Sequence, residues 1–498
     1  MNIALLLEMA AQSEPDRIAL VCDGKRWSYG ELDQAARAAC ELIKASGAQQ
    51  VALIDESSEA AVIALFGAAL AGVPYCPLNY RLADADLAGL LDRITPALIV
   101  GDADRVRRIS QSNDNTLYPR SEFTLAVMEA RSDADTEYDA GEGVAIQLFT
   151  SGTTAAPKAA ILRHSNLVSY ILGTVEFASA NEDDAALVSV PPYHIAGIAA
   201  LASSIYAQRR IVLLPSFAPE DWLKLVEAER VTNSFVVPTM LGRIIQAMDK
   251  GVKGNVSSLR SIAYGGGKMP LELIHRSLDL FPDAGFTNAY GLTETSSTVS
   301  LLGPDEHRRA HASEDPVERA RLASVGRPLP TIEMEIRDEE GRALPPGQAG
   351  EIYLRGDQVS GEYREKSALD AEGWFPTRDA GYVDEEGYLF LSGRADDVIV
   401  RGGENISPGE IEDVLLTHPS IADVAAVAVP SVDWGEAVGI AVVLRGGLEQ
   451  PDDDELKEMV RGRLRSSRVP QVIRYFPNLP YNEMGKLLRR QVKDLLVG

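Results

Sequence analysis

The sequence predicts a multi-domain α/β protein, with a large N-terminal part built of layered α/β units and a smaller α/β tail. Three observations carry this. At 498 residues the chain is too long for one hydrophobic core, and 45% apolar residues supply material for several. Residues 1 to about 140 alternate helix and strand signals, the pattern of parallel, layered sheets. From about Thr331 the signals change to short alternating strands, which reads as antiparallel β, and a compact α/β tail follows.

Taken in order, Ile18 to Cys22 and Arg26 to Ser28 flank an Asp-Gly turn, and Ser28-Tyr-Gly-Glu31 forms a capping box for a helix to about Ser46. A strand at Val51 to Ile54, a helix at Glu59 to Ala71, a helix near Asp84 and a strand at Ala97 to Val100 continue the alternation. Residues 102 to 140 are polar without a clear period and are expected to form a long surface connection. Ser165 is expected to cap a helix to about Phe177. Further elements follow at Arg210 to Leu214, Pro219 to Glu229, Asn233 to Val237 and Leu241 to Met248. A domain boundary is placed at Ala395 to Asp396, where two charged residues interrupt otherwise apolar strands, dividing the chain into 1–395 and 396–498.

A formal charge of −25 argues against a nucleic-acid surface, which needs a basic stripe to replace counterions. Residues 461–498 depart from this acidity, with nine Lys or Arg against Glu483 and Asp494, so a small anionic ligand could land there. Cys22, Cys40 and Cys76 have neither zinc-site nor disulfide-framework spacing and read as reduced core thiols. With no run of 18 apolar residues and no basic leader, a soluble cytoplasmic protein is expected.

The most informative stretch is Phe149 to Ala160, FTSGTTAAPKAA. An apolar run from Val144 to Phe149 ends in Thr150, Ser151, Gly152, Thr153 and Thr154, with Lys158 close behind. Glycine permits a tight turn, hydroxyls donate hydrogen bonds and lysine adds a compact positive charge, an inventory that suits a polyphosphate and equally suits an ordinary polar turn. No Walker phosphate loop can be drawn through it, and Ala159 to Leu162 looks like a second strand. Downstream, Ile262-Ala-Tyr-Gly-Gly-Gly267 is a strand ending in three glycines, and Asn288-Ala-Tyr-Gly-Leu-Thr-Glu294-Thr is expected to place an aromatic ring, a hydroxyl and a carboxylate on a second such turn.

These segments, with Thr-x-Asp at 377–379, GRADDVIVRGGENISPGEIE at 393–412 and the late Asn-Glu-Met-Gly-Lys486, resemble in order the adenylate-forming superfamily of acyl-CoA synthetases, adenylation domains and luciferase. Within it the chain looks most like aryl- and acyl-CoA ligases of the 4-chlorobenzoate-CoA ligase type. The resemblance implies a small β-barrel-like region in the large domain and a mobile α+β C-terminal domain hinged at Asp396. It also implies ATP-dependent conversion of a carboxylic acid to acyl-AMP with release of pyrophosphate, then transfer to coenzyme A.

By the same resemblance, the 150–158 loop with Lys158 holds the β- and γ-phosphates, Glu294 binds Mg²⁺ beside Thr293, and Lys486 bridges the attacking carboxylate and the α-phosphate. Gly265, Gly266, Gly267, Asn288, Ala289, Tyr290 and Gly291 surround the adenine side, and Asp379, assisted by Arg394, accepts the ribose hydroxyls. His194, Ile195, Phe235, Gly265, Ala289, Gly291 and Thr295 would line the acyl pocket. Arg81, Gly402, Gly403, Trp434, Arg468 and Arg474 would meet CoA. A carrier-protein thiol in place of CoA, a homodimer, and a nucleotide-binding regulator without turnover stay open at this point. The regulator is motivated by Ala155, where the loop usually has glycine, and by Arg378 inside Thr-x-Asp.

Overall fold

The computed structural model describes residues 1–110, 112–130, 141, 143–150, 157–394, 397–401, 404–482 and 487–497. Among these, four sheets carry the architecture. A nine-stranded sheet runs Arg327–Pro328, Ser297–Leu302, Gly285–Leu292, Ser261–Gly265, Asn233–Val236, Ala185–Val188, Arg210–Leu213, Ile18–Cys22 and Lys25–Ser28. Its interior pairs are parallel and its edges antiparallel. A seven-stranded sheet runs Glu362–Tyr363, Lys158–Arg163, Val144–Thr150, Tyr75–Pro77, Gln50–Ile54, Ala97–Gly101 and Thr116–Pro119. The predicted parallel layering of the first 140 residues is therefore present.

Helices fill the space between these two sheets. Leu20 and Ile211 of one share a core with Val51, Leu53 and Leu148 of the other, through the helices Tyr29–Ser46 and Glu59–Ala71. The first helix starts at the expected capping box, with the Ser28 hydroxyl accepting from the Glu31 N–H and the Glu31 carboxylate accepting from the Ser28 N–H. The second, EAAVIALFGAALA, has no polar stripe because nearly every residue is buried, as a helix enclosed on all sides requires.

Three expectations need correction. Residues 102–130 are not a featureless connection: Ala103–Ile109 and Arg120–Glu129 are helices, and Thr116–Pro119 adds a parallel strand to Ala97–Gly101. Each helix buries only two apolar side chains at helical spacing, Val106 with Ile109 and Phe123 with Val127, too few to stand out among charges. Ser165 does not cap its helix, which spans His164–Thr174; there the Asn166 side chain accepts from the Arg163 N–H. Finally, Asn288 to Leu292 continue the strand Gly285–Leu292 rather than turning, and only Thr293–Thr295 form a single 3₁₀ turn.

After Thr331 comes the expected antiparallel region, a four-stranded sheet ordered Glu333–Arg337, Gly350–Arg355, Phe375–Val383 and Leu389–Arg394. The tail has its own core around Ile399, Ile411, Ile440 and Leu456, and its sheet centres on the hairpin Ile421–Ser431 and Gly435–Leu444. It touches the rest of the chain through Lys268, whose Nζ lies 2.8 Å from the Asp413 carboxylate, and through the Ser407 hydroxyl, which donates to Ser392 O. The boundary at Ala395 to Asp396 lies outside the described residues. The three cysteines are buried and free, and burial raises the Cys22 thiol to about 12. Among the described residues no helix is long and apolar enough to cross a membrane.

Candidate active site

The hydroxyl-rich stretch is the connection of a hairpin. Val144–Thr150 pairs antiparallel with Lys158–Arg163, placing Thr150 opposite Lys158. Ser151, Gly152, Thr153, Thr154 and Ala155 lie outside the described residues. Both flanks of the loop are held by Arg93, a residue the sequence did not single out. Its guanidinium lies over the Phe149 ring at 4.8 Å and donates to Pro157 O at 2.7 Å, while a third contact at 2.9 Å goes to Glu365. One arginine at a helix end gives no pattern from which this could be read.

Beside the hairpin stand the carboxyl ends of parallel strands in the nine-stranded sheet, the usual location of ligand sites in open α/β sheets. Gly265 sits opposite Ala289, and a Cβ added to Gly265 would lie 2.2 Å from Ala289 O. At Gly291 the corresponding clash, with Ser297 O, would be at 1.8 Å. These two glycines are required by backbone packing, whereas Gly266 and Gly267 are exposed at the strand end. Asn288 is buried and donates to Ser324 O at 3.0 Å, so its amide braces the strand.

Tyr290 links this sheet to the four-stranded one. Its hydroxyl donates to Asp379 Oδ2 at 2.7 Å, and Arg394 Nε lies 3.2 Å from Asp379 Oδ1. Asp379 and Arg394 are directly opposed on neighbouring antiparallel strands. The Thr377 hydroxyl accepts from the Asp379 N–H at 3.0 Å and itself donates to Ile352 O at 2.8 Å, which orients the start of Thr-x-Asp. The intervening Arg378 has φ +62°, and its N–H donates to Glu351 at 3.1 Å. Burial, followed by the Asp379 carboxylate, pushes the Tyr290 phenol well above its ordinary value, so it remains a donor. A carboxylate held by a neutral donor and a cation is fixed in place before any ligand arrives.

Glu294 accepts a hydrogen bond at 2.6 Å from the hydroxyl of Tyr363, and Lys158 Nζ lies 5.6 Å from the centroid of the same ring. Tyr363 is the second residue missed by sequence reasoning; a two-residue strand leaves no periodic signal. Thr293 begins the 3₁₀ turn carrying Glu294. Thr295 is fully buried; its hydroxyl accepts from the Leu292 N–H at 2.9 Å and has Ser297 O at 2.9 Å within reach of its own proton, so it secures the turn.

Of the residues expected to line an acyl pocket, His194 stands at the start of the helix Ile195–Tyr206 against the ring of Tyr193, at 4.5 Å between centroids. Burial lowers its imidazole to about 4, aided by Arg81, and its Nε2 is buried with no hydrogen-bond partner among the described residues. Phe235 lies within 3.6 Å of where a Gly265 Cβ would stand.

The residues assigned to CoA are differently placed. Arg81 is exposed, 5.4 Å from the Tyr80 centroid. Trp434 is 51% exposed at a hairpin turn, with Arg401 5.6 Å from its ring. Arg468 is engaged by Glu410 at 3.0 Å, and Arg474 is exposed. Gly402, Gly403, Asp396 and Lys486 lie outside the described residues.

The AMP-binding enzyme family model matches residues 7–364, and the AMP-binding enzyme C-terminal domain model matches residues 410–486. The chain is 32% identical to a fatty acid–[acyl-carrier-protein] ligase, ScoC, of Streptomyces coeruleorubidus, over 98% of the chain and 95% of that protein. It is 31% identical to a feruloyl-CoA synthase of Amycolatopsis, over 97% and 96%. In three dimensions it is similar to the o-succinylbenzoate CoA synthetase MenE of Bacillus subtilis in complex with the acyl-adenylate intermediate, with a TM-score of 0.84, 28% identity and 98% of each chain covered. The superfamily, the fold class and the acid–thiol ligase activity expected from the motifs are thus borne out. The chain belongs to the AMP-binding enzyme family.

Proposed function

We propose that the protein activates a carboxylic acid with ATP, releasing pyrophosphate to form acyl-AMP, and then transfers the acyl group to the thiol of coenzyme A. The observation that carries this reading is the fixed Tyr290–Asp379–Arg394 group beside Lys158 and Glu294. It offers a carboxylate for adjacent ribose hydroxyls, with a cation and a second carboxylate for the phosphate end. Bringing two anions together needs positioning and charge neutralisation more than proton transfer. The assignments to the 150–158 loop, Lys486 and the hinge at Asp396, and the division into 1–395 and 396–498, are part of this proposal.

Magnesium fits the residues present. Glu294 is half-buried, and among the described residues its Oε1 is engaged by Tyr363, which leaves Oε2 as a hard oxygen donor of the kind Mg²⁺ takes together with phosphates. Bound there, the ion would neutralise phosphate charge. The neutral His194, with an unpartnered buried Nε2, supports a polar contact to the acid or its adenylate, because such an atom otherwise carries a desolvation cost. The absence of an acidic residue before Pro191-Pro-Tyr-His194 favours an acid without an amino group, and the small residues around Gly265 favour an apolar or aromatic body.

A carrier-protein acceptor is the second reading, favoured by the similarity to the acyl-carrier-protein ligase. Cytoplasmic residence is proposed on the three free thiols. The deciding experiment is pyrophosphate release across a panel of carboxylic acids, followed by mass detection of the thioester with free CoA. Acid-dependent release with acyl-CoA formation is expected. Release without any CoA thioester would transfer the assignment to a carrier thiol, and no acid-dependent release would refute acid activation.

A further inference from the structure

Residues 360–364 form a short connector that hydrogen-bonds to two parts of the site at once. On one side, Tyr363 pairs with Ala160 and Glu362 with Ile161, and the Arg364 N–H donates to Ala159 O at 2.9 Å, so the connector lies along the strand that begins at Lys158. Arg163 reinforces this by gripping the Glu362 carboxylate with two contacts of 2.9 Å. On the other side, the N–H groups of Ser360 and Gly361 both donate to Glu294 O, at 2.9 and 3.1 Å. The phosphate-loop hairpin and the turn bearing Glu294 are therefore tied together through a few residues of backbone.

The Tyr363 side chain repeats that link at the charged groups. Its hydroxyl donates to Glu294 Oε1 at 2.6 Å, and its ring lies 5.6 Å from the Lys158 ammonium. A lysine near a carboxylate gains by pairing directly with it, and in doing so would withdraw both charges from an incoming ligand. The phenol gives each group another partner, a hydroxyl for the anion and a π-face for the cation. Among the described residues, the side chain found against both Lys158 and Glu294 is that of Tyr363.

We propose that Tyr363 is a positioning residue that holds the Glu294 carboxylate and the Lys158 ammonium apart and oriented, so that a divalent cation and the phosphates it accompanies meet both groups preformed. The proposal rests on reading Glu294 as the metal ligand. Tyr363 does not itself touch the reacting atoms; it acts through the two charges it contacts.

The test compares Tyr363→Phe, Tyr363→Leu and Glu294→Gln, each first checked by thermal melting. Three readouts are taken: the Mg²⁺ dependence of acid-dependent ATP–pyrophosphate exchange, equilibrium Mn²⁺ binding in the presence of a non-hydrolysable ATP analogue, and binding of that analogue without metal. Loss of a partner that orients a metal ligand commonly weakens metal affinity 10- to 100-fold. Tyr363→Phe, which keeps the ring, is expected to weaken Mn²⁺ binding and raise the Mg²⁺ requirement about ten-fold. Tyr363→Leu is expected to weaken binding of the metal-free nucleotide in addition. If Glu294→Gln shifts the metal dependence and Tyr363→Phe does not, the positioning role is wrong. If Glu294→Gln itself shifts nothing, the metal-ligand reading falls and this inference with it.

Discussion

The proposed ribose side and the proposed acceptor side of this molecule are built on opposite principles. Asp379 is held on several sides: the Tyr290 hydroxyl reaches it across from the nine-stranded sheet at 2.7 Å, while Arg394 at 3.2 Å, the Thr377 hydroxyl at 3.0 Å and the Arg378–Glu351 bond at 3.1 Å brace it within its own sheet. The Asp379 side chain is 13% exposed, which protects those interactions from solvent screening. Around Trp434, by contrast, the ring is half-exposed, Arg401 is shared between that ring and Ser467 O at 2.5 Å, and Arg468 is paired with Glu410. Preorganised groups cost nothing to order when the ligand binds, whereas exposed long side chains must be immobilised or released from their partners. On the proposed assignments, the nucleotide would meet a finished site and the thiol acceptor an adaptable surface.

The strongest attempt to break this contrast is Asp379→Asn. The substitution keeps the shape but removes the charge that Arg394 pairs with, and an amide cannot accept from both partners and two ribose hydroxyls. With hydrogen bonds to charged groups worth about 1.5–3 kcal/mol each, kcat/KM for ATP in acid-dependent pyrophosphate exchange is expected to fall by about 10²- to 10³-fold. A loss below ten-fold would mean that the dense network is structural only.

His194 tests the buried side by titration. Its imidazole is lowered from 6.5 to about 4, so above pH 6.5 it is neutral in both folded and unfolded chains. As pH falls through that value the unfolded chain takes up a proton that the folded chain refuses until about pH 4, so stability is lost across this window, by up to about 3 kcal/mol. Denaturant unfolding at pH 7 and pH 4.5 should show a smaller acid-dependent loss in His194→Gln than in the parent chain. Equal losses in the two proteins would place His194 in contact with water.

The same contrast explains what could be read from the sequence. Parallel layers, the capping box at Ser28, the all-apolar helix Glu59–Ala71 and the hairpin nature of the Thr150–Lys158 loop each depend on local periodicity or turn chemistry, and each was legible. Tyr290, Glu294, Asp379 and Arg394 were singled out through ordered motifs, which preserve residue types but not contacts. Arg93 and Tyr363 were missed because their roles exist only after distant segments meet: Arg93 is 272 residues from Glu365, and Tyr363 is 69 from Glu294. The helices after Asp102 were missed because two buried apolar residues per helix sit below any periodic signal, and tertiary packing rather than propensity forms them.

The smallest expected effect lies on the proposed acceptor side. Trp434→Ala removes a half-exposed ring and the partner of the Arg401 guanidinium, a contact worth about 0.5–1 kcal/mol at an exposed site. The KM for CoA in the overall reaction is therefore expected to rise only about three- to five-fold, with pyrophosphate exchange unchanged, because Arg401 keeps its bonds to Ser466 and Ser467. A change in exchange would show that this face also serves the nucleotide half-reaction, and a loss approaching that of Asp379→Asn would show that the acceptor surface is as finished as the ribose site. A small effect confined to CoA is what an adaptable surface predicts, since its neighbouring cations can take up part of the lost contact.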